Sequence, residues 1–424
     1  MKNIEKYLDQ NKSLGFSELL FSYIDRSGLL DSEVYKKVCI DRKLFSKIRC
    51  SNNYIPRRNI IIKLCLALEL ERKGEGAVNP NPLVGAVIVK DGEIIGEGWH
   101  ERFGELHAER NALKNCKKSA KGATLYVTLE PCCHYGKTPP CTEAIIENQI
   151  KRVVVGSMDT NPKVAGKGVA ILREAGIEVK TGVLKEECDA LNEVFFHYIE
   201  TKTPFVVMKY AMTMDGKIAT ASGKSKWITG EAARENVQRD RNRYMAIMVG
   251  VGTILTDNPS LTCRIAGGRN PIRIICDTNL RTPLESILVQ TAKEVKTIIA
   301  TASRDMEMRH AYEEKGVFIL DIPKKEGHLD LEFLMKELGN HGIDSVLLEG
   351  GGTLNFSALQ SKIVNKVQAY IAPKIFGGEA AKTPVEGVGI AEVPEHFHLK
   401  NPKIRQYGED FYIESEVEYS CLPE

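Results

Sequence analysis

Two short stretches of the sequence together hold the residue types of a metal site. His107-Ala-Glu109 supplies an imidazole and a carboxylate, and Cys132 and Cys141 supply two sulfurs further along the chain. A catalytic zinc ion takes three protein ligands and keeps a fourth position for water. We therefore predict that His107, Cys132 and Cys141 bind one Zn²⁺, whose charge the two thiolates balance. Glu109 is predicted to move protons between an activated water and a departing amine.

The order of these residues is typical of zinc deaminases, in which His-x-Glu precedes Pro-Cys-x-x-Cys. Here Cys132 and Cys141 are nine positions apart rather than three, so a longer loop lies over the site. Cys133 could compete as a ligand, although adjacent residues rarely reach one metal. His134 is favoured as a substrate contact. The alternative interpretation is a core histidine with buried cysteines, which the shared order of the motifs disfavours.

A second group of residues has the composition of a site for an anionic cofactor. Ser345–Leu348 is predicted to be a strand, followed by Glu349 and the turn Gly350-Gly351-Gly352 before a helix. Backbone N–H groups at such a turn can bind a phosphate. The turn lacks the G-x-G-x-x-G spacing and does not predict a Rossmann fold. A simple tight connection is the alternative.

Two further loops strengthen the cofactor interpretation. Lys209–Ala219 leads to Ser225–Thr229, and Val249–Arg264 is rich in turn residues. Lys and Arg in such loops suit a phosphate ester, and Trp227 offers a flat face for an aromatic ring. The alternative is that the charges face solvent and Trp227 lies in the core.

The overall composition is that of a globular protein with two or three domains. The chain has 424 residues, of which 43% are hydrophobic and 27% are charged. No apolar run reaches the ~18 residues of a membrane-spanning helix, and the N-terminus lacks the apolar region of a signal peptide. Its 11 cysteines are too few for a disulfide scaffold. We expect a cytoplasmic protein without a membrane segment.

Three segments must position these residues: a helical extension over 1–63, and two α/β segments over 64–202 and 203–424. The cysteines are expected near helix starts. In the second segment, the predicted strands are Val84–Val89, Thr124–Thr128 and Val153–Val155, and the predicted helices lie near Ala108–Cys116 and Thr142–Asn148. In the third segment, the predicted strands are Phe205–Met208, Ala246–Val249, Ile272–Cys276, Thr297–Ala300, Ser345–Leu348 and Gln368–Ile371.

From about Leu64 to its C-terminus the sequence resembles the bifunctional deaminase–reductases of riboflavin biosynthesis. The resemblance rests on these motifs: Asn79–Val87, His107–Glu109, Glu130–Cys141, Asp159–Gly168, Asp215–Ala219, Ser225–Thr229 and Asp257–Arg264. It implies a cytidine-deaminase-like zinc domain followed by a dihydrofolate-reductase-like domain. The first would deaminate 2,5-diamino-6-ribosylamino-4(3H)-pyrimidinone 5′-phosphate. The second would use NADPH to reduce the ribosyl group to ribityl, giving 5-amino-6-(5-phosphoribitylamino)uracil.

The resemblance also implies roles for individual residues. His107, Cys132 and Cys141 match the zinc ligands, and Glu109 matches the proton shuttle. The positions that match the NADPH site are Ala211, Trp227, Thr253, Asp257, Gly350, Gly351 and Gly352. The positions that match the reductase substrate site are Ser225, Arg241, Leu261, Arg264 and Glu349. Arg241 and Arg264 are the candidates for a phosphate clamp.

Residues 1–63 precede the region of resemblance and carry an excess of positive charge. They have 13 Lys+Arg and 7 Asp+Glu, a net charge of +6, whereas the rest of the chain carries −4. We predict a small all-α extension that resembles a helix-turn-helix module, with Arg42, Lys43, Lys47 and Arg49 on its recognition helix. Because +6 is modest for binding DNA, an adapter that docks on the deaminase or mediates assembly is favoured.

Two other functions compete with the enzyme interpretation. A nucleic-acid base deaminase would use residues 1–63 to bind the nucleic acid, but this interpretation leaves the reductase-like half unexplained. A regulator that only senses flavin precursors predicts lost catalytic residues, yet His107, Glu109 and both cysteines are present. We therefore expect a small-molecule pyrimidine ribosyl phosphate as the substrate, and a homo-oligomeric enzyme.

Overall fold

The computed structural model of the protein describes residues 71–419. The chain divides into two compact units, Met1–Glu200 and Thr201–Glu424. The helix-turn-helix-like extension predicted for residues 1–63 lies outside the described residues, and the predicted domain boundaries after residues 63 and 202 stay predictions. In the described part of the chain, no helix combines the length and the apolar character needed to cross a bilayer.

A mixed five-stranded sheet organises the described part of the first unit. Its strands are β1 (Gly85–Lys90), β2 (Glu93–Trp99), β3 (Thr124–Leu129), β4 (Arg152–Ser157) and β5 (Glu178–Lys180). They lie in the order β2-β1-β3-β4-β5, antiparallel from β2 to β3 and parallel from β3 to β5. Ile88, Leu125 and Val153 lie side by side on three neighbouring strands and are fully buried. This aliphatic row forms the centre of the core.

Short helices surround this sheet after a 3-10 helix at Glu71–Gly74. They are α1 (Ala108–Lys114), α2 (Cys141–Glu147), α3 (Lys167–Glu174), α4 (Lys185–Leu191) and α5 (Glu193–Thr201). Glycines in β2 let α1 approach the sheet closely, because a β-carbon on Gly98 would lie 2.3 Å from the backbone nitrogen of Ala112. This contact fixes the depth of α1, and therefore of His107 at its N-cap.

A nine-stranded sheet organises the described part of the second unit. Its strands are β6 (Phe205–Thr213), β7 (Ala246–Gly250), β8 (Ile272–Cys276), β9 (Thr297–Thr301), β10 (Phe318–Asp321), β13 (Ser345–Leu348), β14 (Lys366–Ala372), β15 (His398–Tyr407) and β16 (Asp410–Glu418). The order is β10-β9-β8-β7-β13-β6-β14-β16-β15. All neighbours are parallel except β14–β16 and β16–β15. A separate small hairpin pairs β11 (Lys324–Lys325) with β12 (His328–Leu329).

Helices join most of the parallel strands of this sheet, as in other α/β folds. They are α6 (Glu231–Arg243), α7 (Val251–Asp257), α8 (Ile287–Gln290), α9 (Met306–Glu314), α10 (Leu331–Asn340) and α11 (Gly352–Gln360), and a 3-10 helix covers Val393–Glu395. Because β7, β13 and β6 are parallel neighbours, their carboxyl ends meet at one edge of the sheet. Ligands of such sheets bind at that edge.

The α/β fold class is confirmed for both units, and every predicted strand coincides with a strand. Ile272–Cys276 and Ser345–Leu348 match β8 and β13 residue for residue. The sequence analysis missed β2, β5, β10, β11, β12, β15 and β16. Strand β15 is exposed at nearly every position, so it lacks the apolar alternation that marks a half-buried strand.

Candidate active sites

The structure brings the three predicted zinc ligands together in the first unit. The ligand atoms of His107, Cys132 and Cys141 all lie within 4.8 Å of one another. His107 Nδ1 is 3.5 Å from each of the two Sγ atoms. Cys141 is the first residue of α2, as expected, whereas Cys132 lies in the loop after β3 and the expectation that it sits at a helix start is wrong.

The spacing of these atoms fits a tetrahedral zinc ion. Zinc–nitrogen and zinc–sulfur bonds of about 2.0 and 2.3 Å place a nitrogen and a sulfur about 3.5 Å apart in a tetrahedron, and the two measured separations are 3.5 Å. The set of one imidazole and two thiols is also the donor set that zinc prefers. These residues are therefore suited to hold the metal.

The surroundings of Cys132 favour its thiolate form. Hydrogen bonds from Cys141 and from His107 lower its pKa, and the backbone N–H of Cys141 donates to its Sγ at 3.3 Å. Cys133, the competing candidate ligand, instead directs its Sγ to the carbonyl of Lys163 at 3.6 Å. Within the described residues, it is not part of the metal-ligating cluster.

Glu109 lies two residues after His107 in the first turn of α1 and is almost completely buried, with 3% of its surface exposed. Burial and the negative charge of Cys132 raise its pKa to about 7. A carboxyl group that titrates near neutral pH can accept a proton and return it at similar cost, which suits a general acid and base. The position and burial of Glu109 are those expected for the predicted proton shuttle.

Two residues that the sequence analysis did not select orient His107. The imidazole Nδ1 of His100 is 3.1 Å from the carbonyl of Leu106, and the side-chain amide of Asn111 donates to the same carbonyl at 3.2 Å. Both bonds fix the residue immediately before the ligand. The imidazole rings of His100 and His107 also meet edge to face, 5.1 Å apart. The only indication of this arrangement in the sequence was the short spacing between His100 and His107 around a turn.

Glu130, in the Glu-Pro-Cys motif, connects the cysteine loop to a second loop of the first unit. Its buried carboxylate accepts backbone N–H groups from Asp159, Gly166 and Val169 at 3.4, 3.0 and 3.1 Å. A β-carbon at Gly168 would lie 2.2 Å from the carbonyl of Pro131. The Asp159–Gly168 motif is therefore shaped to dock on the residues that precede Cys132.

In the second unit, the predicted cofactor residues follow strands that end at one edge of the sheet. Ala211 lies near the end of β6, Thr253 and Asp257 lie in α7 after β7, and Gly350–Gly352 joins β13 to α11. Ala211 is paired in register with Tyr370 of β14. The topology therefore collects residues that are far apart in the sequence.

The three glycines of the turn have different surroundings. A β-carbon at Gly350 would lie 2.9 Å from Asn355 Oδ1, and one at Gly352 would lie 2.4 Å from Cγ of Glu386. At Gly351, an added β-carbon would meet no described atom within 4 Å. Gly350 and Gly352 are thus required by the protein's own packing, whereas Gly351 presents its backbone to open space at the start of α11. This arrangement fits the approach of a cofactor phosphate.

A buried charged cluster lies directly before this turn. Arg241 Nε and Nη2 donate to Glu349 Oε1 and Oε2 at 2.8 and 3.0 Å, and Lys209 Nζ lies 3.4 Å from Oε2. Burial raises the pKa of Glu349, but the charges of Arg241 and Lys209 outweigh this effect and lower it to about 2. The sequence predicts no specific role for Lys209, because nothing in its sequence surroundings indicates a partner 140 residues away.

The remaining predicted residues occupy two loops. Arg241 Nη1 donates to the carbonyl of Thr262 at 3.2 Å, which ties the Leu261–Arg264 loop to the charged cluster. Leu261 is buried and Arg264 is exposed. Ser225 is half-buried in the segment before α6. Since Arg241 is already paired with Glu349, its role as a phosphate clamp stays a prediction, as does that of Arg264.

Trp227 does not lie in the core, because 59% of its surface is exposed. The guanidinium of Arg234 sits over its ring at 4.7 Å. The ring is therefore available for stacking, which is what the cofactor interpretation requires of it.

Two family models match the chain. The model described as the cytidine and deoxycytidylate deaminase zinc-binding region matches residues 63–157, and this range includes the His-Cys-Cys cluster and Glu109. The model described as the RibD C-terminal domain matches residues 204–413.

The chain is also similar to whole proteins of known family. It is 56% identical over 348 residues to the riboflavin biosynthesis protein RibD of Actinobacillus pleuropneumoniae, which covers 82% of this chain and 93% of the relative. The chain belongs to the RibD family. The RibD proteins of Aquifex aeolicus and Escherichia coli are 43% and 40% identical over 349 and 358 residues, covering 82% and 81% of this chain and 96% and 95% of theirs.

Solved structures of the RibD family share the fold. Acinetobacter baumannii RibD (form 2) has a TM-score of 0.75 at 35% identity and covers 85% of this chain and 98% of its own. A Thermotoga maritima diaminohydroxyphosphoribosylaminopyrimidine deaminase/5-amino-6-(5-phosphoribosylamino)uracil reductase has a TM-score of 0.73 at 41% identity, covering 82% and 96%. The chain is therefore a bifunctional riboflavin-biosynthesis enzyme with a zinc-binding deaminase domain and an NADPH-dependent reductase domain.

Proposed function

We propose that the first unit deaminates 2,5-diamino-6-ribosylamino-4(3H)-pyrimidinone 5′-phosphate and that the second unit reduces the ribosyl group of the product to ribityl. The observation that carries this proposal is the His107, Cys132 and Cys141 cluster beside buried Glu109, in one chain with a reductase unit. The Thermotoga maritima relative bears the names of both activities.

In the deaminase reaction, zinc held by His107, Cys132 and Cys141 would act as a Lewis acid that acidifies a water molecule. The carboxylate of Glu109 accepts a proton from that water and delivers it to the departing amine. Ammonia leaves, and the ring carbon carries oxygen in its place. Burial of Glu109 excludes bulk water from this transfer, so the proton stays on the reacting groups.

In the reductase reaction, NADPH supplies a hydride. The backbone at Gly351 and the ring of Trp227 are proposed to bind the cofactor. Lys209, Arg241 and Glu349 form a cluster with one net positive charge, because two cations face one carboxylate. That charge favours a phosphorylated substrate, and Lys209 is the proposed donor of the proton that accompanies the hydride.

Three further assignments belong to the same proposal. The two domains are 64–202 and 203–424, with 1–63 as an adapter that docks on the deaminase or mediates assembly. The enzyme acts in the cytoplasm, and it assembles as a homo-oligomer. The nucleic-acid deaminase and the sensor are not favoured, since neither needs a reductase domain with a paired charged cluster.

Mass analysis of one incubation tests the two reactions. Purified zinc-replete protein is mixed with the diaminopyrimidine ribosyl phosphate, with and without NADPH. We expect exchange of an amine for oxygen without NADPH, and the addition of two hydrogens with it. Absence of the first change contradicts the deaminase assignment, and absence of only the second contradicts the reductase assignment.

A further inference from the structure

The segment that carries Ser225 and Trp227 has no regular secondary structure. It precedes α6, which begins after the N-cap residue Gly230. A segment of this kind needs contacts other than helix or sheet hydrogen bonds to adopt one conformation. Two side chains from distant parts of the second unit supply them.

The first of these side chains is Lys374, which lies just after β14. Its ammonium group donates to the backbone carbonyl of Trp227 at 3.2 Å and to that of Ile228. The bonds to this segment involve its main chain alone, so they fix its position without contacting the indole ring, over which the guanidinium of Arg234 lies.

The second side chain is Asp410, the first residue of β16. Only 3% of its surface is exposed, and its Oδ2 accepts the backbone N–H of Gly230 at 2.7 Å. Gly230 has no side chain with which to cap α6, so Asp410 supplies the carboxylate that this end of the helix favours. The same helix carries Arg241, which is paired with Glu349.

The loop that carries Lys374 is itself anchored. Asp215 accepts the backbone N–H groups of Phe376 and Gly377 at 3.2 and 2.7 Å. The hydroxyl of Thr213 and the N–H of Gly377 lower the pKa of Asp215 to about 2, so the group that accepts these bonds is a carboxylate at neutral pH. Lys374 therefore projects from a fixed loop rather than from a free one.

We propose that Lys374 and Asp410 are positioning residues of the reductase, which hold the main chain of Trp227–Gly230 so that Trp227 can stack on the bound cofactor. This inference rests on the proposed reductase function. A ring that is 59% exposed gains little from burial in the protein, so its orientation depends on its contact with Arg234 and on the backbone that carries it. Fixing that backbone before binding lowers the entropic cost of ordering the segment around NADPH.

Two pairs of variants separate positioning from simple folding. Lys374→Met removes the donor and Lys374→Arg retains one. Asp410→Ala removes the acceptor and Asp410→Asn retains one. We expect Lys374→Met and Asp410→Ala each to raise the KM for NADPH about tenfold, the equivalent of one hydrogen bond to a charged group, with kcat within about twofold. The conservative variants recover most of the affinity.

Matched controls come from the same unit. Lys324→Met removes an exposed lysine whose Nζ donates to Asn279, and Asp305→Ala removes the N-cap carboxylate of α9. Both should leave the KM for NADPH unchanged. Because all four positions lie in the second unit, the reductase kcat of the same samples reports whether that unit is folded. An unchanged NADPH KM in Lys374→Met, or an equal rise in the two controls, overturns the proposal.

A binding measurement keeps this test independent of the substrate assignment. The chain has 2 tryptophans, so Trp227 is the single tryptophan in a Trp99→Phe background and can be excited selectively over tyrosine. NADPH titration should quench its emission, with about tenfold weaker binding in Lys374→Met. If wild-type protein binds NADPH in this way but reduces no pyrimidine substrate, the proposed reaction fails and the positioning role stands. Equal quenching curves for wild type and Lys374→Met refute the positioning role.

Discussion

Arg241 and Glu349 are 108 positions apart in the sequence and form a two-point ion pair, with Nε–Oε1 and Nη2–Oε2 separations of 2.8 and 3.0 Å. Side-chain exposures of 14% and 11% remove most of the screening by water. Such planar pairing fixes the carboxylate in orientation as well as in position. Lys209 Nζ lies 3.4 Å from Oε2 of the same carboxylate, which directly precedes the glycine turn.

Loss of this pair should disable the reductase and spare the deaminase. Replacing Glu349 by Gln leaves Arg241 and Lys209 buried without a counter-charge, and an uncompensated buried charge is strongly unfavourable. We expect reductase kcat/KM to fall about 100-fold or more. The deaminase rate of the same sample is the control. A reductase rate within twofold of wild type would show that the pair has no part in the reaction.

The ion pair should also make the stability of the second unit depend on acid pH. The pKa of Glu349 is lowered to about 2, whereas an unfolded Glu titrates near 4.3. The ionised pair therefore stabilises the fold above pH ~4.3, and this contribution is lost as the pH falls towards 2. Urea unfolding followed by Trp227 fluorescence in a Trp99→Phe background measures it. The difference between wild type and Glu349→Gln should shrink steadily below pH ~4, and a constant difference contradicts this assignment.

The sequence was most informative where chemistry is local. His107 and Glu109 share one motif, and Cys132 and Cys141 share another. A proline directly before Cys141, at the predicted start of a helix, marks the second cysteine ligand. The buried strands could also be predicted from short stretches of sequence, because their apolar runs are continuous.

The sequence could not reveal contacts that depend on topology. Nothing near Lys209 indicates that β13 lies beside β6 and brings Glu349 to it. Strand β15 is exposed at nearly every position, so neither this strand nor the reach of Asp410, at the start of β16, to α6 could be predicted. Hydrogen bonds between a side chain and a distant stretch of backbone, such as those of Glu130, produce no periodic pattern in the sequence.

The glycine turn offers a prediction that separates cofactor binding from packing. Gly351→Ala should fold normally, since its β-carbon would meet no described atom within 4 Å, but it should raise the KM for NADPH several-fold by crowding the phosphate. Gly352→Ala should instead destabilise the second unit, because its β-carbon would lie 2.4 Å from the side chain of Glu386. Thermal unfolding and the KM for NADPH, measured for both variants, test this prediction. Equal effects of the two substitutions on stability would contradict it.

Removal of a zinc ligand should disable the deaminase and spare the reductase. Cys141→Ser replaces a thiolate by a weak ligand, and we expect loss of bound zinc and of deaminase activity while the reductase activity persists. Cys133→Ser is the matched control, since Cys133 points to the carbonyl of Lys163. It should retain one zinc per chain, measured by atomic emission. Zinc loss in Cys133→Ser would revive the competing ligand.

Glu109→Gln tests the proton shuttle without disturbing the metal site. Glutamine keeps the shape of the buried side chain but cannot accept and return a proton. General acid–base catalysis contributes about 10²- to 10⁴-fold, so we expect deaminase kcat to fall by that factor while zinc content and reductase rate stay at wild-type values. The substrate KM should change little, because the amide still fills the same space. Deamination at the wild-type rate would show that another group moves the proton, and His134 would then be the next residue to replace, because its buried Nδ1 has no hydrogen-bond partner among the described residues.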